Sequence, residues 1–164
     1  MLQEKINQEI KKAMQEKSEL LLLTLRGINA AIKNREIEKR TKLSKTEKDI
    51  AKLEKLSKLT EEEIIEVISS EAKKRRDSIV EFKKGNRNDL VEKEEKELEI
   101  IKKYLPEQMS EEQVKEEAMH VIKEIGAVGP KDTGKVMAAL MPKLKGKSEG
   151  GTVSKVVSEL LKGE

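Results

Sequence analysis

Apolar positions recur along this chain at intervals of three and four, the period of a helix with one buried face. Leu2, Ile6, Ile10, Ala13 and Met14 mark one such face over residues 2–17. Leu21, Leu22, Leu25, Ile28, Ala31 and Ile32 mark a second over residues 18–40, with Ser18 placed to cap it. In residues 41–59 the leucines are diluted by lysines. Leu43, Ile50, Leu53 and Leu56 or Leu59 still predict a solvated helix there, one that can run on from a neighbour.

Thr60 and Glu63 have the spacing of a capping box, in which the hydroxyl accepts the amide three residues on and the carboxylate reaches back. The helix they open is expected to reach Lys84, burying Ile64, Val67, Ile68, Ala72, Arg75, Ile79 and Phe82. Gly85 is expected to close it in a left-handed cap. Residues 86–88 read as the turn, and Asp89 as the cap of a helix carrying Leu90, Val91, Leu98, Ile101, Tyr104 and Leu105, stopped by Pro106. Pro106 is the expected domain boundary, giving a helical part over 1–106 and a smaller one over 107–164. The second part opens on another capping box, Ser110 with Gln113, and turns Val114, Ala118, Val121, Ile122 and Ile125 inward before Gly126. Pro130 suits the first turn of a short helix burying Val136, Met137, Leu140 and Met141, which Pro142 should break. Gly146, Gly150 and Gly151 shape a loop before a last helix with Val153, Val156, Val157, Leu160 and Leu161 inside. The predicted fold is all-α: long helices, then a three-helix bundle.

Composition narrows the classes. Of 164 residues 41% are charged and 1% aromatic, with one Phe, one Tyr and no Trp. Such a chain lacks the β-branched and aromatic runs that sheets require, while Lys, Glu, Leu and Ala favour helix. With no Cys, disulfides, thiol catalysis and cysteine metal sites are excluded. No apolar run approaches the roughly 20 residues of a membrane span. A soluble cytoplasmic protein without membrane partners is expected.

Charge picks out one stretch. Residues 107–164 hold nine basic and ten acidic side chains, yet residues 131–155 hold six lysines against Asp132 and Glu149. Most of the glycines and two of the three prolines also lie between 126 and 151. Lys131 and Lys135 are spaced one turn apart, with Gly134 between them leaving room for a ligand backbone. Lys143, Lys145 and Lys147 are expected to project from the loop after Pro142, and the amides of Gly150 and Gly151 precede a helix whose dipole attracts anions. Lysines and exposed amides without aromatic platforms suit the phosphate backbone of a folded RNA rather than unstacked bases.

The remaining features read as structural. His120 is the only histidine and makes neither a metal site nor a triad alone. The acids between Glu92 and Glu99 are interspersed with lysines, as on a solvated helix face. Within Lys73-Lys74-Arg75-Arg76, Arg75 falls on the buried stripe and is expected to pair with Glu94 or Glu97.

The run RRDSIVEFKKGNRNDLVEKEEKELEIIKKYLPEQMSEEQV, with GKVMAALMPKLKG and VSKVVSELL after it, resembles the YqeY-like family. Residues 41–59 depart from that pattern in being longer and richer in lysine. The resemblance extends through the C-terminal part to the tail domain of the B subunit of tRNA-dependent glutamyl/aspartyl amidotransferases. It implies an all-helical protein whose tail contacts the body of a tRNA; the alternative is a partner that docks on an amidotransferase subunit or another enzyme through the N-terminal helices. It also carries a family-level association with a carbon–nitrogen ligase that takes glutamine as amide donor. The residues argue against chemistry in this chain. Glutamine hydrolysis needs an activated nucleophile, commonly Cys, or a Ser with a base. The segment from Gly129 to Lys135 echoes a phosphate loop only faintly, since Val136 stands where Ser or Thr should hold Mg²⁺. No catalytic residue, metal ligand or cofactor is assigned, and an RNA-binding adaptor is the expected function.

Overall fold

The computed structural model describes residues 1–162, and the chain divides into two compact units, Met1–Tyr104 and a second beginning at Leu105. Every regular element among the described residues is helical, so the protein is all-α as the periodicity predicts.

The first unit holds α1 (Leu2–Gln15), α2 (Glu19–Leu43), α3 (Ile50–Ser57), α4 (Glu61–Lys84) and α5 (Asn88–Lys102). Its core is a seam of Ile6, Ala13, Leu25, Ile28, Ile32, Ile64, Ile68, Ala72, Ile79, Leu98 and Ile101, all buried. The capping box at α4 forms, with the Glu63 amide donating to Thr60 Oγ1 at 3.2 Å and the Thr60 amide donating to Glu63 Oε2 at 2.8 Å. Lys39 of α2 donates to both Glu63 oxygens, at 2.9 and 2.7 Å, and to the Lys58 carbonyl at 3.1 Å. One ammonium thereby fixes the end of α3 and the start of α4 against α2. The Lys39 hydrogen bond, and then the Thr60 amide, hold the Glu63 carboxyl below its ordinary pKa.

Several local expectations are corrected. Ser18 stands at the N-cap of α2, but its hydroxyl accepts no cap bond. Residues 41–59 are not one helix: α2 runs on to Leu43, a turn follows, and Asp49 caps the short α3 by accepting the Lys52 amide. Gly85 is not left-handed (φ −83°); Asn86 takes that conformation (φ 53°), while the Arg87 amide closes back on the Phe82 carbonyl at 2.9 Å. Asparagine tolerates this region better than most residues, so the cap shifts by one. Asp89 does not cap α5. Its carboxylate sits inside the first turn and takes a two-pronged contact from the Arg87 guanidinium, at 3.0 and 2.9 Å.

The second unit holds α6 (Glu111–Ile125), a 3₁₀ turn (Pro130–Asp132), α7 (Thr133–Lys143) and α8 (Gly150–Lys162). Three helices close on Val114, Ala118, Val121, Val136, Leu140, Leu144, Val153, Val156, Val157 and Leu161. The Ser110 capping box forms with Gln113, and Gly126 ends α6 in the left-handed region (φ 70°). Ile125 and Met141 lie exposed rather than inward, whereas Leu144 is buried. Pro142 does not break α7, which continues to Lys143. This close to the helix end, a missing amide forfeits only one of the last helical bonds.

Candidate nucleic-acid interface

The basic stretch of the second unit is shaped by one carboxylate. Asp132 Oδ2 accepts the Val128 amide at 3.2 Å, folding the segment between α6 and the 3₁₀ turn back on itself, and Thr133 Oγ1 donates to the Pro130 carbonyl at 2.7 Å. Asp132 Oδ1 lies 3.2 Å from Lys135 Nζ. The Val128 amide first, and Lys135 second, hold this carboxyl below the usual carboxylate range.

Lys131 lies in the 3₁₀ turn and Lys135 in the first turns of α7, both exposed. A Cβ at Gly134 would meet no atom within 4 Å outside its own helix backbone and chain neighbours, so the space beside this position is open. Lys135, Ala139 and Lys143 follow at four-residue steps along one ridge of α7. At its far end Lys143 does not project from a loop as expected. It turns toward α6, within 3.8 Å of Glu117 and 3.5 Å of Glu124. Lys145 and Lys147 lie in the segment between α7 and α8, the first half-buried and the second exposed. That segment is pinned by the Met109 amide on the Lys147 carbonyl at 2.8 Å and by Gln108 Nε2 on the Gly146 carbonyl at 2.7 Å. Gly146 has φ 74°, the one place in this segment where the backbone itself calls for glycine. Gly150 and Gly151 are not loop residues. They form the start of α8, where amides have no carbonyl within the helix to bond.

Thus the six lysines are not equally available. Lys135 faces Asp132, Lys143 faces Glu117 and Glu124, and Lys155 faces Glu111 at 3.6 Å and Glu159 at 3.9 Å. Lys131 and Lys147 have no ion-pair partner among the described residues. Exposed pairs of this kind are worth about 0–1 kcal/mol, so a phosphate can displace the carboxylates. Asp132 was legible as the neighbour of Lys135, three residues away. Glu117 and Glu124 were not, since only packing of α6 against α7 brings them to Lys143. His120 is exposed, with Nδ1 3.9 Å from Glu124.

The profile of the family described as Yqey-like protein matches residues 3–161. The chain belongs to the YqeY-like family. Among curated proteins it is similar to several that carry the name "Altered inheritance of mitochondria protein 41, mitochondrial". With that of Lachancea thermotolerans it shares 40% identity over 100 residues, covering 61% of this chain and 46% of the relative. With that of Clavispora lusitaniae the identity is 36% over 121 residues, covering 73% and 61%. With that of Pyrenophora tritici-repentis it is 29% over 160 residues, covering 96% and 79%. The chain thus spans about half the length of the first relatives it matches. No helix among the described residues is long and apolar enough to cross a membrane.

Proposed function

We propose that this YqeY-like protein is a non-catalytic adaptor that binds tRNA, or another structured RNA, by its phosphate backbone through the second unit. The observation that carries the reading is the exposed pair Lys131, in the 3₁₀ turn, and Lys135, at the start of α7, beside Gly134, with exposed Lys147 in the segment after α7. Lys143, Lys145 and the first amides of α8 at Gly150 and Gly151 extend the surface. The resemblance to the amidotransferase tail domain supports the same ligand. tRNA occurs in the cytosol and in mitochondria alike, so the relatives' mitochondrial names widen the cytoplasmic expectation to the organelle.

A second reading, docking on an amidotransferase or another enzyme, draws on a shallow apolar depression of about 260 Å³ bordered by Met119, Ile122, Val128 and Leu160. Val128 at its edge is 95% exposed. The ligase association of the family supplies a third reading. It is tested by asking whether glutamine, ATP and Mg²⁺ yield ammonia above background with mischarged tRNA present.

The first reading is tested by titrating bulk tRNA against salt. Lys131→Glu and Lys147→Glu remove cations that have no internal partner, so folding should barely change. Affinity should fall, and the log–log salt slope should flatten by roughly 0.7–0.9 for each phosphate no longer neutralised. Gly134→Leu should weaken binding by obstruction while leaving the melting temperature equal or higher, leucine being the better helix former. Parental affinity in all three variants would remove this surface from consideration.

A further inference from the structure

The largest excess of basic over acidic residues along the chain lies outside the second unit. Residues 33–58, covering the last turns of α2, the turn after it and α3, hold ten basic side chains against five acidic ones. The rest of the chain holds 25 against 27. The net positive charge of the protein therefore originates in this corner of the first unit.

Four of the five acids of the corner are occupied, and the fifth, Glu54, is exposed on α3. Glu38 pairs with Arg35 at 3.0 Å, and Glu36 lies 3.7 Å from Lys58. Glu47 accepts the Asp49 amide, and Asp49 caps α3. Lys39 is taken up by Glu63. The cations left over are Lys33, Arg40, Lys42, Lys45, Lys52 and Lys55, all exposed and with no side-chain partner among the described residues. Lys52 and Lys55 stand three residues apart on α3, away from its buried Leu53 and Ser57, and so share the outward side.

We propose that this corner is a second, independent binding surface for the phosphate backbone of structured nucleic acid. A small anion does not suit it. Lys33 and Arg40 line the groove of about 180 Å³ where α2 meets α3, but Lys42, Lys45, Lys52 and Lys55 do not, and the Glu36 and Glu54 carboxylates share its wall. A polymer with regularly repeated negative charges engages such a spread and gains by releasing its condensed counterions. A lipid surface is disfavoured by the apolar residues. Ile50 and Leu56 are exposed, but six positions apart on α3 they flank the buried seam on different sides and make no single face for acyl chains. The surface shares its ligand class with the proposed function and none of its residues.

The test uses the full chain, with bulk tRNA titrated at several salt concentrations. Lys42, Lys45, Lys52 and Lys55 changed together to Gln should weaken binding and flatten the slope by about 0.9 per phosphate released, roughly 3–4 for all four. The same four changed to Arg should bind as the parent does. Melting temperatures confirm that folding is intact. In the unaltered protein, tRNA should also shield these four amines from acetylation, read by mass spectrometry, so the result does not hang on the variants. An unchanged slope in the Gln variant together with unshielded amines overturns the proposal. So does equal retention on phosphatidylserine vesicles or on polyglutamate with the same loss in the Gln variant. Loss confined to the Lys131 and Lys147 variants supports the tail surface and overturns this one, and the converse pattern does the reverse. Loss in both sets supports both, and loss in neither overturns both.

Discussion

Tyr104 is the only tyrosine of the chain and is buried at the end of the first unit. Its hydroxyl donates to the Glu9 carboxylate, and Lys5 Nζ lies 5.6 Å from the ring centroid. Burial first, then the hydrogen bond to Glu9 and its charge, push the phenol pKa upward. The native state therefore holds this proton where the unfolded chain loses it. The stabilisation is complete below the ordinary phenol value of about 10 and is lost as pH rises through the higher native value. Alkaline absorbance titration reads this one group without interference from another tyrosine. Ionisation should begin well above pH 10 in the folded protein and near 10 in denaturant. Glu9→Gln should lower the native value only in part, because burial remains.

The buried ion cluster yields an ordering of effects at the same scale. Arg75 Nε is 2.9 Å from Glu97 and 3.4 Å from Glu94, as the sequence pattern anticipated, and Glu97 is 4% exposed. Arg75→Ala leaves two carboxylates side by side with their shared cation gone. Glu97→Ala leaves Arg75 paired with Glu94. Breaking a buried pair costs roughly 3–5 kcal/mol; Arg75 is about a quarter exposed, so about 2–3 kcal/mol is expected for Arg75→Ala and less for Glu97→Ala. Urea unfolding measures both, and a larger loss for Glu97→Ala would refute the account.

Elements were legible where a local rule acts alone. Both capping boxes formed because a hydroxyl and a carboxylate or amide three residues apart satisfy each other without help from the rest of the fold. Boundaries failed where two neighbours compete. Gly85 and Asn86 can both end α4, and Asp89 can cap α5 or bond Arg87; the structure takes the second option each time. The break between α2 and α3 is hidden in the sequence because Asp49, which starts α3, sits among lysines that keep the helical pattern running. Composition picks out the lysines of the second unit, but not their availability. Lys143 meets Glu117 and Glu124 only once α6 and α7 are packed, and no spacing along the chain reports that. Gly150 and Gly151 suggest a loop by their flexibility, yet they open α8.

For the whole molecule, the buried residues of the second unit form a closed set drawn from α6, α7 with Leu144 just after it, and α8. Its lead-in is tied to itself as well, through Gln108 to the Gly146 carbonyl and Met109 to the Lys147 carbonyl. We therefore expect residues 105–164 to fold when produced alone. Small size makes this a demanding claim, since a chain of about 60 residues buries only around 60% of the surface that it exposes unfolded. Helical circular dichroism with a cooperative melt is the expected result. Leu140→Ala at the centre of that core should cost about 2–5 kcal/mol and leave such a fragment largely unfolded. The same change in the full chain should lower the melting of this unit while the Tyr104 titration, which reports the first unit, stays as it was. A fragment without helix, or a shifted Tyr104 titration in the full-length Leu140→Ala variant, would mean that the two units do not fold as separate cores.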